Sequence, residues 1–313
     1  MKKPALTLPQ LLSPYRTISI IGMAKNTGKT TTLNYLIEAF YRQKIRLALT
    51  SIGRDGESVD VVTKTEKPKI FVFKDTIIAT AENLLPLCDI TKQIIDVTNI
   101  NTPLGRIVLV RALSDGFVQL GGPSMTAQLS ALLKGLPGDK VILDGAISRK
   151  SPASPNITEA TVLCTGAAFS PSMHTTIEET RHTVRMLMLP CFEDTAVLEK
   201  LAAAPDEKVT AQQGCIYIRG AVFDSLVSDL IIAKTNMAGI SIIAEDPSKI
   251  FIKPATYEKL LIKKAALFVK AAVNLAAVTV NPFSPYNSGF AAGDFLEEMR
   301  QAVPVSVYDL KAE

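Results

Sequence analysis

Nine consecutive residues, Gly22-Met23-Ala24-Lys25-Asn26-Thr27-Gly28-Lys29-Thr30, constrain this chain more than any other feature. They follow Thr17–Ile21, a continuous β-branched apolar run of the kind that forms a strand buried on both faces. They precede a stretch in which Leu33, Leu36, Ile37 and Phe40 recur at i, i+3, i+4 and i+7, the stripe of an amphipathic helix. A second strand, Ile45–Ile52, completes a strand–loop–helix–strand unit within about 40 residues, so its strands run parallel. In such a loop the amides of the helix N-terminus converge, and the helix dipole adds partial positive charge. Gly28 has no Cβ to hold an anion away from the backbone. Lys29 can reach a bound phosphate, and the Thr30 hydroxyl can ligate Mg²⁺.

The usual phosphate loop is G-x-x-x-x-G-K-[ST]. Here five residues separate Gly22 from Gly28, and Met23 stands at the usual first-glycine position. The loop is one residue longer, as in dethiobiotin synthetase-like members of the P-loop class. The expected fold is therefore α/β and P-loop NTPase-like, with a mostly parallel sheet. The expected phosphate ligands are Gly22, Ala24, Lys25, Asn26, Thr27, Gly28, Lys29, Thr30 and Thr31. Magnesium needs a second anchor, and Asp144 ends the apolar run Val141-Ile142-Leu143 where α/β sheets bind ligands. An ordinary Asp-Gly turn is the alternative there. Asp55 and Glu57 follow the second strand and either hold Mg²⁺ or orient a water, or merely shape a turn. With Lys29, Asp55 and Asp144 are the candidate catalytic groups. ATP with Mg²⁺ is the expected ligand, because the guanine-reading Asn-Lys-x-Asp tetrad is absent from the sequence.

Residues 56–139 break the βα rhythm. Short β-like runs at Ile70–Phe73, Thr76–Thr80, Arg106–Leu113 and Phe117–Leu120 suggest a β-rich insertion, with Ser114-Asp115-Gly116 as a hairpin turn. Gly121-Gly122-Pro123-Ser124 joins an apolar strand to a helix at Met125–Leu133; it is either an anion cradle or a tight connection capped by Ser124. A strand at Ala160–Cys164 and a helix over Thr175–Leu189 follow. The polar stretch at 195–212 marks a boundary between a domain at 1–195 and a C-terminal α/β unit at 205–313, which is either a second unit or a continuation of the first sheet. Strands are expected there at Cys215–Val222, Gly239–Ala244, Leu275–Val280 and Val303–Tyr308, and helices at Asp224–Thr235, Tyr257–Lys270 and Gly289–Ala302.

Composition removes other classes. Apolar residues make up 47% and charged residues 20%, enough for a large core. The net charge of +4 is too weak over 313 residues to imply nucleic acid. The scattered Cys88, Cys164, Cys191 and Cys215 suit reduced thiols in a cytoplasm. Prolines 4, 9 and 14 interrupt any export signal, and Ala265–Val280 is too short to span a membrane. His174, Glu178 and His182 could share a helix face, but the histidines would stand about 12 Å apart along the axis, so a solvated face is expected. Lys249, Lys253, Lys259, Lys263, Lys264 and Lys270 make a basic stretch read as solvated surface or a docking patch for an acidic partner.

The segments IIGMAKNTGKTTTLNYLIEAF, LALTSIGRDGE, TIIATAENLL, TPLGRIVLVRA, VQLGGPS and LDGAISRKSP, with VNPFSPYNSGF further on, resemble the P-loop subunit of the lysine 5,6-aminomutase reactivase family. The likeness covers most of the first 190 residues. It implies an ATP-dependent chaperone that releases damaged cobalamin from an adenosylcobalamin-dependent aminomutase. It also implies a second subunit, an ATPase that looks like a mismatch-repair protein. Gly28, Lys29 and Thr30 carry over first, then Asp144. No Asp-x-His-x-x-Gly stretch occurs in the sequence, so cobalamin is expected to belong to the client. A carboxylate-activating ligase of the dethiobiotin synthetase type is the alternative.

Overall fold

In a computed structural model, residues 6–53, 69–147, 153–203, 207–233, 236–286 and 288–311 are described; Asp55 and Glu57 lie outside them. The chain forms two compact units, Met1–Glu178 with Leu275–Glu313, and Glu179–Asn274. It begins with α1 (Leu8–Leu11), β1 (Thr17–Gly22), α2 (Lys29–Arg42) and β2 (Leu47–Ser51). Five strands follow: β3 (Ile70–Val72), β4 (Ile77–Ala81), β5 (Lys92–Thr102), β6 (Gly105–Ala112) and β7 (Gly116–Val118). Then come α3 (Thr126–Gly135), β8 (Lys140–Ile147), β9 (Ala160–Gly166) and α4 (Met173–Leu187). The second unit contains α5 (Thr195–Ala202), β10 (Val209–Gln212), β11 (Cys215–Ile218), β12 (Val222–Phe223) and α6 (Asp224–Ala233). It continues with β13 (Ser241–Ala244), β14 (Ile250–Phe251), α7 (Pro254–Ile262) and β15 (Ala266–Val269). The chain then re-enters the first unit as β16 (Leu275–Asn281), α8 (Ala292–Ala302) and β17 (Ser306–Tyr308).

The first unit is a mixed α/β structure built on a nine-stranded sheet in the order β17-β16-β9-β1-β8-β2-β4-β6-β5. Strands β17 to β4 run parallel, and β6 and β5 are antiparallel to their neighbours. Period-two alternation sorts its side chains. Ile18, Ile20, Leu49 and Ile142 face the cluster that contains Leu33, Leu36, Ile37 and Phe40 of α2. Ala48, Val141 and Leu143 face the cluster that contains Leu129, Leu132 and Leu133 of α3. The spacing read from the sequence is the buried face of α2. Burial of each such side chain is worth about 1.5–3 kcal/mol, which outweighs the poor helix propensity of Thr30, Thr31 and Thr32 in its first turn.

Several expectations need correction. Ser114-Asp115-Gly116 does not close a hairpin: β7 pairs with β3, Phe71 opposite Phe117, while β6 pairs with β5. Strand β5 itself goes unpredicted, because an edge strand exposed along nearly its whole length needs no apolar alternation. The expected helix at Tyr257–Lys270 stops at Ile262; Lys264 turns at positive φ, and Ala266–Val269 is a strand. A short apolar run carries no period by which to tell the two apart. The expected C-terminal unit at 205–313 is divided differently. Residues 179–274 have their own sheet, β10-β11-β13-β15, while β16 lies between β9 and β17 in the first sheet. Val278 pairs with Leu163 on one side and Val307 on the other, and a strand so apolar needs neighbours on both edges.

Candidate functional site

The loop between β1 and α2 leaves the sheet in the centre, at the carboxyl ends of parallel strands. Its first amide, Met23 N–H, donates to Cys164 O of β9 at 2.9 Å, so this residue prolongs strand pairing. That accommodates the extra residue: Met23 stays with the sheet, and the free-standing loop starts at Ala24. Asn26 (φ 60°) and Gly28 (φ 95°) then take left-handed conformations that turn the chain into α2. A Cβ at Gly28 would also stand 3.1 Å from Asn281 Cβ. The first helical bond, Thr32 N–H to Gly28 O at 2.9 Å, closes the turn. Beneath it, the hydroxyls of Thr32 and Thr279 meet at 3.0 Å and Cys164 Sγ lies 3.5 Å from Thr32 Oγ1, joining α2 to β16 and β9.

Lys29 is the first residue of α2, and its side chain folds back across Gly22, where a Cβ would lie 2.9 Å from Nζ. Its ammonium donates to Ala24 O at 3.3 Å, and Thr27 Oγ1 donates to the same carbonyl at 2.9 Å. Burial pushes the Lys29 pKa below its ordinary value, with the negative charge of Asp144 acting in the opposite direction. Asp144 aligns with Ile20 of β1 and Ser51 of β2, two residues before β1 gives way to the loop. It does not end its strand, as the Asp-Gly pair suggests. β8 runs on to Ile147 after a shift of register, because pairing with Gly22 continues past Asp144. The structure thus gathers Gly22, Ala24, Asn26, Thr27, Gly28, Lys29 and Asp144 around one point at the sheet's carboxyl edge, with Thr30 and Thr31 in the first turn of α2. Lys25 is exposed on the loop, and Asp55 lies outside the described residues.

Residues that sequence reasoning did not single out complete the surroundings. Asn281, at the end of β16, donates from Nδ2 to Asn26 O at 3.1 Å. Asn26 in turn donates from Nδ2 to Tyr286 Oη at 2.8 Å. Beside them is a shallow cleft with room for little more than one water, walled by Gly28 and Thr31, by Asn281, and by Asp309, Leu310 and Lys311 after β17. A signal existed: VTVN and SVYD are, like VILD, apolar strands ending in a polar residue.

The other candidates serve structure. Gly121 is held by Thr80 Oγ1 and by Ala81 N–H, and Pro123 O accepts from Gly53 N–H, so the Gly121–Ser124 segment is a tight connection. Ser124 does not cap α3, whose N-cap is Met125. His174, Glu178 and His182 all lie in α4, and His182 Nε2 is bonded to Ile252 O at 2.8 Å. Among the described residues no group of three or more His, Cys, Asp or Glu could hold a metal ion, and no helix is long and apolar enough to cross a membrane. Comparisons of the chain with protein-family models, with curated proteins and with solved structures find no match.

Proposed function

We propose that the loop Gly22–Thr30 holds the triphosphate of ATP and that the first unit is a P-loop NTPase-like domain. One observation carries this reading: a desolvated ammonium, Lys29, folded over a glycine at the mouth of a strand–loop–helix turn, with a carboxylate on the neighbouring strand. A desolvated cation favours an incoming anion, which offsets its charge. The donor set fits Mg-ATP. The loop and first-turn amides with Lys29 would hold the phosphates, and Thr30 with Asp144 would hold Mg²⁺. When bound, Mg-ATP supplies the phosphoryl-transfer chemistry. This chain's part is to position the phosphates and offset their charge.

The larger reading follows from the resemblance: a reactivating subunit for an adenosylcobalamin-dependent aminomutase, working with a second, mismatch-repair-like ATPase subunit in the cytoplasm. Opening a client requires different affinities for it in two nucleotide states. The test is reactivation of an inactivated aminomutase with ATP. Lys29→Ala is expected to abolish ATP-stimulated reactivation, and reactivation equal to wild type would overturn the proposal. The five-residue spacing from Gly22 to Gly28 favours one second reading, the carboxylate-activating ligase. ATP turnover that rises with a small carboxylate or amine supports the ligase, and turnover that rises only with the aminomutase supports the reactivase.

A further inference from the structure

We infer that Asn281 and Tyr286 are positioning residues, which hold Asn26 so that the Thr27 amide is set to donate to a phosphate. The inference rests on the phosphate reading above and adds to it the groups that fix the loop's conformation. An anion-binding loop must gather its N–H groups on one side and turn its carbonyls elsewhere. Asn26 sits at φ 60°, a minority conformation for a residue with a Cβ, so contacts from outside the loop are needed to hold it. They come from residues 255 and 260 positions further along the chain.

Asn281 holds the main chain of Asn26. Its Nδ2 donates to Asn26 O at 3.1 Å, while its Oδ1 accepts from Phe283 N–H at 3.4 Å. An inverted amide would set oxygen against oxygen at Asn26, so the donor direction is fixed. Asn281 is itself anchored: it pairs with Gly166 of β9, and its carbonyl accepts from Ala167 N–H at 3.0 Å. Tyr286 holds the side chain of Asn26, whose Nδ2 donates to Tyr286 Oη at 2.8 Å. Tyr286 N–H in turn donates to Ser284 Oγ at 3.1 Å.

The peptide bond carries this restraint to the next residue. No peptide bond among the described residues is cis, and a planar trans unit points its C=O and its N–H in opposite directions. The bond from Asn281 to Asn26 O therefore aims Thr27 N–H away from Asn281. That N–H donates to no group among the described residues, although Thr27 is only 1% exposed. A buried donor without an acceptor is unfavourable, and a phosphate oxygen, which accepts, relieves it. The Ala24 carbonyl is already engaged by Lys29 Nζ and Thr27 Oγ1, so neither it nor Asn26 O is free to oppose the anion.

The experiment is calorimetric binding of inorganic tripolyphosphate and of Mg-ATP to the full chain, with urea unfolding of each variant. Asn281→Leu keeps the size of the side chain but cannot donate, and is expected to weaken both ligands about tenfold. Tyr286→Phe removes only the hydroxyl and is expected to weaken both about threefold. A merely structural role would lower the unfolding midpoint and leave the affinity of the folded chain at the wild-type value. Asn26→Gly keeps the left-handed turn without the side chain. On that background Tyr286→Phe should cost nothing further, while Asn281→Leu, which acts on a main-chain oxygen, should still cost about tenfold. In ligand-free protein, NMR should show the Thr27 amide exchanging at least about threefold faster in Asn281→Leu. Unchanged exchange alongside lost affinity would mean that Asn281 meets the phosphates itself, and would overturn its positioning role. Wild-type affinity in a folded Asn281→Leu would overturn the inference alone, and additive losses from Asn26→Gly and Tyr286→Phe would remove the part given to Tyr286. Failure of the wild-type chain to bind either ligand would overturn the phosphate reading, and this inference with it.

Discussion

The two units contain the same local device and use it in opposite senses. In each, a parallel strand runs into a loop that holds a left-handed glycine: Gly28 after β1, and Gly220 (φ 80°) after β11. In the second unit the Gly220 amide donates to Glu245 Oε2 at 3.1 Å, and Glu245, just after β13, is paired with Lys249 at 3.3 Å. The chain supplies its own anion there. In the first unit the charged group folded into the loop is a cation, Lys29, whose acceptor among the described residues is the neutral carbonyl of Ala24 at 3.3 Å. The strand–loop–helix geometry is therefore permissive, and the sign of the side chain nearest the loop decides whether an external anion is wanted.

Substitutions can break this contrast, and the largest effect belongs to Lys29. Lys29→Ala should weaken Mg-ATP by about 1,000-fold, roughly 4 kcal/mol, in a calorimetric titration. A loss under tenfold would show that the amides alone hold the ligand. Gly28→Ala comes next: the left-handed φ and the 3.1 Å approach to Asn281 Cβ should cost about 1–2 kcal/mol of stability in urea unfolding. An unchanged midpoint would mean that the turn relaxes without strain. Glu245→Gln should lower stability by less than about 1 kcal/mol and leave ATP affinity unaltered. An ATP effect there would mean that the two loops are not independent.

The smallest effect sharpens the comparison through pH. With its pKa lowered by burial, Lys29 penalises the ligand-free fold as long as it is charged. Lys29→Met should therefore melt slightly higher than wild type at neutral pH. That advantage should shrink as pH rises through the depressed folded pKa toward the ordinary value of 10.5, as wild type sheds the proton. A gap that widens with pH in thermal melts would reverse the assigned cause. Excess tripolyphosphate should erase the gap at neutral pH, since it binds the charged form.

What the sequence makes legible is whatever is encoded by neighbours in the chain. The stripe Leu33, Leu36, Ile37, Phe40, the apolar strand before Gly22 and the glycine–lysine loop all express local periodicity or local chemistry, and each lies where that logic puts it. The edge strand β5 is illegible because exposure on both faces leaves its composition unconstrained. β15 hides in Ala-Leu-Phe-Val, four residues too few to show a period. Asn281, Tyr286 and Asp309 stand about 250 residues or more from the loop along the chain, and only the return of β16 and β17 to the first sheet brings them there.

That return sets a schedule for biosynthesis. A ribosome must deliver residues 179–274 before it delivers Asn281, Tyr286 or Asp309. Until β16 emerges, the outer edge of β9 is a row of unpaired peptide groups, open to any passing strand. A half-made polypeptide can fold the glycine turn but has nothing to brace it. Ligand capture should therefore mark translation past residue 281, and stalled nascent chains should be the form of this protein most dependent on holdase chaperones.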